Sequence, residues 1–344
     1  MDKDFIIKDG ILTKYNGKSA NVVIPDSVAV IGKGAFFGCS SLVSIIIPDG
    51  VTKIGWYAFK ECTSLTSITI PDSVTEIGKK TFENCSNLVS ITIPKNVTII
   101  EESVFFGCSN LTSITIPDSL NEIDACAFSG CSSLESISIP DSVTVIGKEA
   151  FSGCSSLVSI SIPDSVAFIG QVAFEGTAYF EDESNWEKGV LYIGNHLIRA
   201  EEDIESEYSI KVNTVCIAEC AFEECSSLVS ITIPDSVTEI GWWTFSGCSS
   251  LTSITIPDSV SEIGEGTFFG CLSIESVIIP KSVTEIGDYA FEECTGLTSV
   301  TIPNSVIEIS DAAFEGCSDL TIIAAKNSYA EKYAKKHEIT FEVL

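Results

Sequence analysis

The sequence predicts an α/β repeat solenoid of about 12 coils, with one parallel β-sheet face and short helical or 3₁₀ segments opposite it. Three observations lead to this fold class. Proline recurs every 23 residues, from Pro25 to Pro163 and again from Pro234 to Pro303. The letters around each proline repeat as well, and apolar residues make up 45% of the chain. One coil cannot bury its own apolar side chains, so neighbouring coils must stack.

Each repeat unit begins with a short strand. In "LTSITI" (65–70), Ile68 and Ile70 alternate with polar residues, which predicts that the two isoleucines point inward. Pro71 follows at once and, because it lacks an N–H and has a fixed φ, it ends the strand and turns the chain. We therefore expect one parallel strand per coil, with serine and threonine facing outward.

The second half of each unit predicts a corner and a helical turn. A glycine such as Gly55 follows the Val-x-x-Ile stretch and permits a tight bend. Ala58, Phe59 and Cys62 then have the i, i+1, i+4 spacing of the inner face of a helical or 3₁₀ turn. These residues complete the apolar interior of the coil.

The repeat letters resemble those of the BspA-like branch of the leucine-rich-repeat family, with its 23-residue unit IPxxVxxIGxxAFxxCxxLxxI. The resemblance covers residues 24–176 and 210–324 and implies a right-handed stack of leucine-rich-repeat coils. It also implies a surface or secreted protein, since the family's named members are largely bacterial and protozoan surface proteins implicated in adhesion to host proteins. The corner after the strand departs from better-known leucine-rich repeats, because serine replaces asparagine there: Ser27, Ser73, Ser236, Ser259. A serine hydroxyl can replace part of the asparagine hydrogen bonding.

Departures from the period divide the chain into five segments. Residues 1–23 are predicted to be an N-terminal hairpin cap around Asp9-Gly10 or Asn16-Gly17. The first array spans 24–177, an irregular hairpin insert with a Gly194-Asn195 turn spans 178–209, and the second array spans 210–324. Residues 325–344 predict a helix–strand cap, with Ser328 and Glu331 in capping-box spacing.

The 14 cysteines predict a buried ladder of free thiols rather than a disulfide framework. Eleven of them share one repeat position, where stacked side chains are parallel and poorly oriented for a disulfide. Cys126, Cys216 and Cys220 lie off this position. Cys216 and Cys220 are four residues apart, but no histidine or second cysteine pair completes a zinc set, so we predict no metal site.

Catalytic chemistry has little support in the sequence. The two histidines, His196 and His337, lie in different non-repeat segments, and a serine or cysteine nucleophile needs a base within hydrogen-bond reach. We therefore predict no catalytic residue and no cofactor. A hydrolase activity in the insert at 178–209 is the remote alternative.

The charge pattern narrows the classes of partner. A formal net charge of -29 disfavours nucleic acid and anionic membrane surfaces, and no apolar run is long enough for membrane insertion. The first residues lack the apolar core of a secretion signal, so a cytoplasmic location stays open beside the surface location that the resemblance implies. The expected partner is a protein, with a basic surface, of host or bacterial origin.

Seven residues are candidates for contacting that partner. Glutamate precedes the Ile-Gly corner at Glu239, Glu262 and Glu285, and aromatic pairs occupy the free positions after the corner glycine: Trp56, Tyr57, Trp242, Trp243. Exposed aromatic residues can anchor a partner, or they can pack over the neighbouring coil. The carboxylates can attract a basic partner, bind calcium, or serve only solubility.

Taken together, the sequence predicts a non-catalytic binding or adhesion protein that presents an extended repeat surface to a protein partner. The alternative is a structural spacer that holds other domains away from a surface. Binding predicts that affinity depends on a few surface positions, whereas a spacer predicts no such dependence.

Overall fold

The computed structural model describes residues 4–344 and divides into two compact units. Unit 1 comprises residues up to Val166 together with Val172–Glu183. Unit 2 comprises Ala167–Gln171 and Ser184–Leu344. Both are parallel β-solenoids with few helices, and the fold class is the predicted one, although the coils number about 14 rather than about 12. The hairpin segments account for the difference, because their strands pair in register with the repeat strands.

Unit 1 contains two rows of strands. One row consists mainly of three-residue strands that bear serine or threonine outward, and the other consists of two-residue strands at the Val-x-x-Ile corner. The strands are β1 (Phe5–Lys8), β2 (Ile11–Tyr15), β3 (Asn21–Val23), β4 (Val30–Ile31), β5 (Ser44–Ile46), β6 (Lys53–Ile54), β7 (Ser67–Thr69), β8 (Glu76–Ile77), β9 (Ser90–Thr92), β10 (Ile99–Ile100), β11 (Ser113–Thr115), β12 (Glu122–Ile123), β13 (Ser136–Ser138), β14 (Val145–Ile146) and β15 (Ser159–Ser161).

Unit 2 repeats both rows and adds longer strands in its hairpin and at the C-terminus. Its strands are β16 (Phe168–Ile169), β17 (Trp186–Glu187), β18 (Val190–Ile193), β19 (His196–Ala200), β20 (Glu207–Ser209), β21 (Cys216–Ile217), β22 (Ser230–Thr232), β23 (Glu239–Ile240), β24 (Ser253–Thr255), β25 (Glu262–Ile263), β26 (Ser276–Ile278), β27 (Glu285–Ile286), β28 (Ser299–Ile302), β29 (Glu308–Ile309), β30 (Thr321–Ala324) and β31 (Thr340–Val343). Helices are few: α1 (Ala178–Glu181) belongs to unit 1, α2 (Tyr329–Lys336) belongs to unit 2, and a 3₁₀ turn (Glu183–Asn185) follows α1 in the chain.

Strand register follows the 23-residue period. Ser67 of β7 pairs with Ser44 of β5 and Ser90 of β9, so like residues stack on like. The second row obeys the same rule, since Ile54 pairs with Ile31 and Ile77. The sequence predicted one sheet face and missed this second row, because two residues per coil are too few to show an alternating pattern.

The segment opposite the strands is a run of 3₁₀-like turns, which agrees with the 3₁₀ alternative of the prediction and not with a continuous helix. The amides of Ala35, Phe37 and Cys39 donate to carbonyls three residues earlier, as in a 3₁₀ turn, at 3.0–3.2 Å. The intervening amides, such as that of Phe36, donate instead to the next coil, here to the Ala58 carbonyl at 2.8 Å. A helix cannot form because every second amide is used between coils.

Stacked phenylalanines fill the core of both units. Neighbouring rings in unit 1 lie 5.1–5.6 Å apart between centroids from Phe36 to Phe174, and those of unit 2 lie 5.1–5.6 Å apart from Phe222 to Phe314. Phe59 and Phe82, for example, are fully buried and parallel to within 2°. The offset stacking of such rings adds to the stability from their burial.

The predicted thiol ladder is present beside these rings. All 14 cysteines are free, and the ladder thiols from Cys62 onward donate to a carbonyl in the preceding coil, as Cys108 Sγ does to the Phe82 carbonyl at 3.2 Å. The corner serines behave as expected too: the hydroxyl of Ser142 donates to the Leu120 carbonyl at 2.6 Å. The hydroxyls of Ser282 and Ser305 occupy the same corner but have no hydrogen-bond partner.

The non-repeat segments fold as hairpins and a capped helix. The N-terminal turn is at Asp9-Gly10, both with positive φ, and not at the alternative Asn16-Gly17. The mid-chain hairpin turns between β18 and β19 at Gly194-Asn195 as predicted. Helix α2 begins after Ser328, whose hydroxyl accepts from the Glu331 amide at 3.1 Å.

Candidate functional site

The candidate glutamates form a line along the second strand row of unit 2. We call Glu239, Glu262, Glu285 and Glu308 the glutamate row; each is the first residue of a two-residue strand whose isoleucine is buried. Glu285 pairs in register with Glu262 on one side and Glu308 on the other. Adjacent strands are about 4.8 Å apart, so the row presents closely spaced carboxylates on the surface.

Burial and mutual repulsion both act on these carboxyl groups. Partial burial raises the pKa of Glu239, and the charge of Glu262 raises it further. Burial also raises the pKa of Glu262, as does the charge of Glu285, while a hydrogen bond from the Trp242 indole lowers it. Two unit charges at this spacing repel by about 0.9 kcal/mol in water-like surroundings. Glu239 and Glu262 are therefore less favourable as anions in the folded protein than in water.

The glutamate row lacks the compensation that the same position has in unit 1. There, the row runs Lys53, Glu76, Ile99, Glu122 and Val145, so that no glutamate pairs with a glutamate in the described register. The Lys53 ammonium lies 2.6 Å from the Glu76 carboxylate. Among the described residues of unit 2, no lysine or arginine forms an ion pair with the glutamate row.

Trp242 lies beside the first two members of the glutamate row. Its side chain is 43% exposed, and its ring lies 5.7 Å from that of Phe168 in an edge-on arrangement. The indole also covers Gly264 of the next coil, where an added Cβ would be 2.4 Å from the Trp242 Cδ1. Trp242 thus packs over the neighbouring coil and still presents ring surface to solvent.

Trp243 is directed to different neighbours. Its ring lies 5.5 Å from Phe269 and 6.2 Å from Tyr289, and it covers Gly266. Its φ of +57° belongs to the turn pattern of the coil. The structure therefore separates the two adjacent tryptophans, and only Trp242 joins the glutamate row.

Trp56 and Tyr57 lie in unit 1, and the Tyr57 ring has lysine neighbours. Trp56 is 49% exposed and covers Gly78. The ammonium groups of Lys33 and Lys60 are 5.5 and 5.6 Å from the centroid of the Tyr57 ring, within cation–π range. This pair does not belong to the glutamate row.

A small cavity lies between Trp242 and the first glutamates. It has a volume of about 150 Å³, and its walls include Phe168, Glu239, Trp242 and Glu262 over a floor of buried isoleucines such as Ile217. The sequence did not indicate Phe168. The only signal is that Phe168 occupies the glutamate position of its own coil, as Cys216 does in β21.

The cysteines offer poor nucleophiles and poor metal ligands. Burial raises the pKa of Cys85 and Cys216 to about 12, so these thiols stay protonated near neutral pH. Within the part of the chain that the structure describes, no group of three or more His, Cys, Asp or Glu side chains is arranged to hold a metal ion. None of the helices in residues 4–344 has the length and apolar character needed to cross a membrane.

Several solved structures are similar to this chain. A leucine rich cell surface protein from Faecalibacterium prausnitzii A2-165 is 31% identical over 97% of this chain and 96% of its own, with a TM-score of 0.42. A leucine-rich repeat protein from Bacteroides ovatus is 28% identical over 99% and 100% of the two chains, with a TM-score of 0.43. A leucine-rich repeat protein from T. pallidum is 26% identical over 74% and 90%, with a TM-score of 0.38. The comparison with curated proteins gives no match.

A family model describes the sequence over most of its length. The model, a BspA type leucine rich repeat region in 6 copies, matches residues 13–135, 122–210 and 193–321. The observed coils carry its letters in the expected places, with phenylalanine and cysteine inside and the strand before the proline. The chain belongs to the BspA-type leucine-rich-repeat family.

Proposed function

We propose that the protein is a non-catalytic surface-binding protein that engages the basic face of a protein partner through its glutamate row. The observation that carries this proposal is that Glu262, Glu285 and Glu308 pair in register, with Glu239 at the same position of the preceding coil, and that no lysine or arginine forms an ion pair with them in the described part of unit 2. The same position in unit 1 includes a lysine beside Glu76. Membership of a repeat family that presents extended surfaces supports a binding role.

A basic partner would relieve the repulsion between neighbouring glutamates of the row. Glu239 and Glu262 have raised pKa values because they are partly buried and face like charges. A lysine or arginine brought by a partner would turn these repulsions into attractions, so binding regains free energy that the free protein loses. A row of negative charges also attracts a positively charged partner from a distance and so raises the association rate. Dissolved salt screens this attraction.

We propose a cell-surface or secreted location, also on the basis of family membership. The F. prausnitzii protein, 31% identical, is described as a cell surface protein. A partner on a host or bacterial surface fits this location. The alternative of a structural spacer predicts that no surface position matters for binding.

The test uses a short lysine-rich peptide as the basic probe, with an equal-length glutamine-substituted peptide as its control. Association rates are measured by biolayer interferometry from low to high salt. In the variant Glu239→Gln, Glu262→Gln, Glu285→Gln, we expect the low-salt association rate to fall by about tenfold. The matched variant Asp235→Asn, Asp258→Asn, Asp319→Asn removes the same number of exposed charges from unit 2 and should fall much less.

Two outcomes would contradict the proposal. Equal losses in both triple variants would mean that only net charge matters, which reduces the acidity to a solubility property. A salt-insensitive association rate would exclude electrostatic attraction altogether and favour the spacer.

A further inference from the structure

The cavity beside Trp242 has the composition of a receptor for an organic cation. Its aromatic side is formed by Phe168 and Trp242, whose rings meet edge to face at 5.7 Å. Its charged side is formed by Glu239 and Glu262. The volume of about 150 Å³ admits a single side-chain end rather than a peptide segment.

The carboxylates in this cavity are not used equally by the protein. The Trp242 indole favours the ionised form of Glu262, because it lowers the pKa of that carboxyl against the effects of burial and of Glu285. Glu239 is half-buried, and no lysine or arginine pairs with it among the described residues. The neighbouring Cys216 is a protonated thiol, because burial raises its pKa to about 12. The Glu239 carboxylate is therefore left to pair with a cation that enters the cavity.

We propose that this cavity binds the ammonium end of a lysine side chain from the partner. The ring face of Trp242 attracts a cation, and tryptophan is the most effective aromatic residue in this role. A carboxylate supplies the charge-assisted hydrogen bond. The apolar floor of isoleucine suits the methylene stem of lysine.

Lysine fits the arrangement better than arginine. The two carboxylates come from successive coils and offer separate oxygens, whereas a guanidinium fork matches one aligned carboxylate. An ammonium is compact and has three donors that rotate freely. It can therefore bond to both carboxylates while its stem lies against the rings.

This inference deepens the proposed function, on which it rests, by naming the group that the partner contributes. The two can fail separately. The lysine-rich peptide tests the glutamate row as a whole, whereas a single lysine derivative tests only the cavity. If the triple glutamine substitution weakens binding of the lysine-rich peptide but the lysine derivative does not bind, the cavity assignment fails and the proposed function stands.

The experiment observes the indole N–H signals of the protein by ¹⁵N NMR, with Trp242→Phe identifying the Trp242 signal among the 4 tryptophans. The probe is N-acetyl-lysine N-methylamide, and the control probe is the norleucine analogue, which has the same stem length and no charge. We expect a saturable shift of the Trp242 signal with lysine and none with norleucine. The arginine analogue should bind at least about threefold more weakly.

Substitutions then assign the shift to the cavity. Glu239→Gln should weaken lysine binding by about tenfold, because it removes one charge-assisted hydrogen bond. Glu262→Gln is a second variant with the same expectation, in case the first disturbs the coil. Glu275→Gln is the matched control, since Glu275 is an exposed glutamate of unit 2 outside the cavity.

Three results would overturn the assignment. They are a shift that does not saturate, an equal response to the norleucine or arginine analogue, and an equal loss of affinity in Glu275→Gln and Glu239→Gln.

Discussion

The first residue of each two-residue strand decides whether a glutamate in this row has a cationic or an anionic neighbour in the next coil. In unit 1 the residue at this position varies from coil to coil, and the Lys53 ammonium lies 2.6 Å from the Glu76 carboxylate. In unit 2 it is glutamate in four successive coils, and the pKa of Glu239 is raised first by burial and then by Glu262. The ionised carboxyl groups of Glu239 and Glu262 thus oppose folding stability.

Glu239→Gln should therefore stabilise the free protein at neutral pH. The folded-state pKa of Glu239 lies above the unfolded value, so its favourable contribution exists only where it is protonated and is lost as pH rises. Because the group is half exposed, we expect a gain of only about 0.5 kcal/mol in unfolding free energy at pH 7. Urea unfolding at neutral pH and near pH 3.5 measures the gain, which should vanish at the lower pH.

Glu76→Gln provides the matched comparison, because it occupies the same repeat position beside a lysine. It should give no stabilisation at neutral pH. A stability gain in Glu76→Gln equal to that in Glu239→Gln would contradict the argument from uncompensated charge.

The buried thiols make a second residue-level prediction. Burial raises the pKa of Cys85 from 9.0 to about 12. Between these values the folded state retains a proton that the unfolded state loses, so unfolding free energy falls as pH rises. Each such thiol contributes a slope of about 1.4 kcal/mol per pH unit.

Cys85→Ala should accordingly show a shallower loss of stability above about pH 9 than the unsubstituted protein. Below that pH the two should run parallel, with the variant less stable by a constant amount. The measurement is urea unfolding across this pH range. Parallel curves throughout would mean that the Cys85 thiol does not titrate differently in the folded state.

At the scale of the element, the corner after the strand is a hydrogen-bonded turn of serines. The hydroxyls of Ser73, Ser119, Ser142 and Ser165 each donate to a carbonyl of the preceding coil. Those of Ser282 and Ser305 do not, although they occupy the same position. The element therefore contains its own matched controls.

Ser142→Ala should lower the unfolding free energy by about 1 kcal/mol, because it leaves the Leu120 carbonyl without a donor. Ser282→Ala removes a buried hydroxyl that has no partner, so it should be neutral or slightly stabilising. Chemical unfolding of the two variants side by side tests the difference. Equal losses would show that serine acts at this corner by some means other than its hydrogen bond.

How much of each element the sequence predicted depends on how many residues carry the pattern. The strand at Ser67–Thr69 was predicted because Ile68 and Ile70 alternate with polar neighbours. The strand at Glu76–Ile77 was missed because two residues show no alternation. The turn segment was predicted as helical or 3₁₀ from its apolar spacing, and the spacing alone could not decide between them; bonds between coils, such as Phe36 to Ala58, take every second amide and leave only 3₁₀-like turns.

The candidate site was predicted in the same partial way. Trp242 was identified because it departs from the residues usual at its repeat position. The glutamates were identified because they recur at the same position in successive repeats. Phe168 was missed because it precedes Trp242 by more than three periods, with the insert at 178–209 between them. A 23-residue pattern predicts contacts between successive coils and cannot predict a contact across an insertion.

At the scale of the whole molecule, none of the cysteines forms a disulfide, and the coils pack and hydrogen-bond against one another. All 14 cysteines are free, and the ladder thiols donate to carbonyls at about 3.0–3.4 Å. The phenylalanine stacks continue from coil to coil within each unit. Stability at this scale is a sum over neighbouring coils.

Treatment with reductant and chelator should therefore leave the melting temperature within a few degrees of its untreated value. The measurement is differential scanning calorimetry with each reagent alone and with both. A drop of more than about 10 °C with either would contradict the thiol assignment or reveal a bound metal.

The equal register of successive strands has a consequence for how such arrays change in length during evolution. Ser113 pairs with Ser90 and Ser136 with Ser159, so each strand presents the same face to either neighbour. Removal of residues 116–138 would join Thr115 to Ile139, and the letters Ile-Pro would follow the strand as before. Recombination between copies can thus add or delete whole 23-residue coils and keep every remaining strand in register with its neighbours. The array can therefore be lengthened or shortened in steps of one coil.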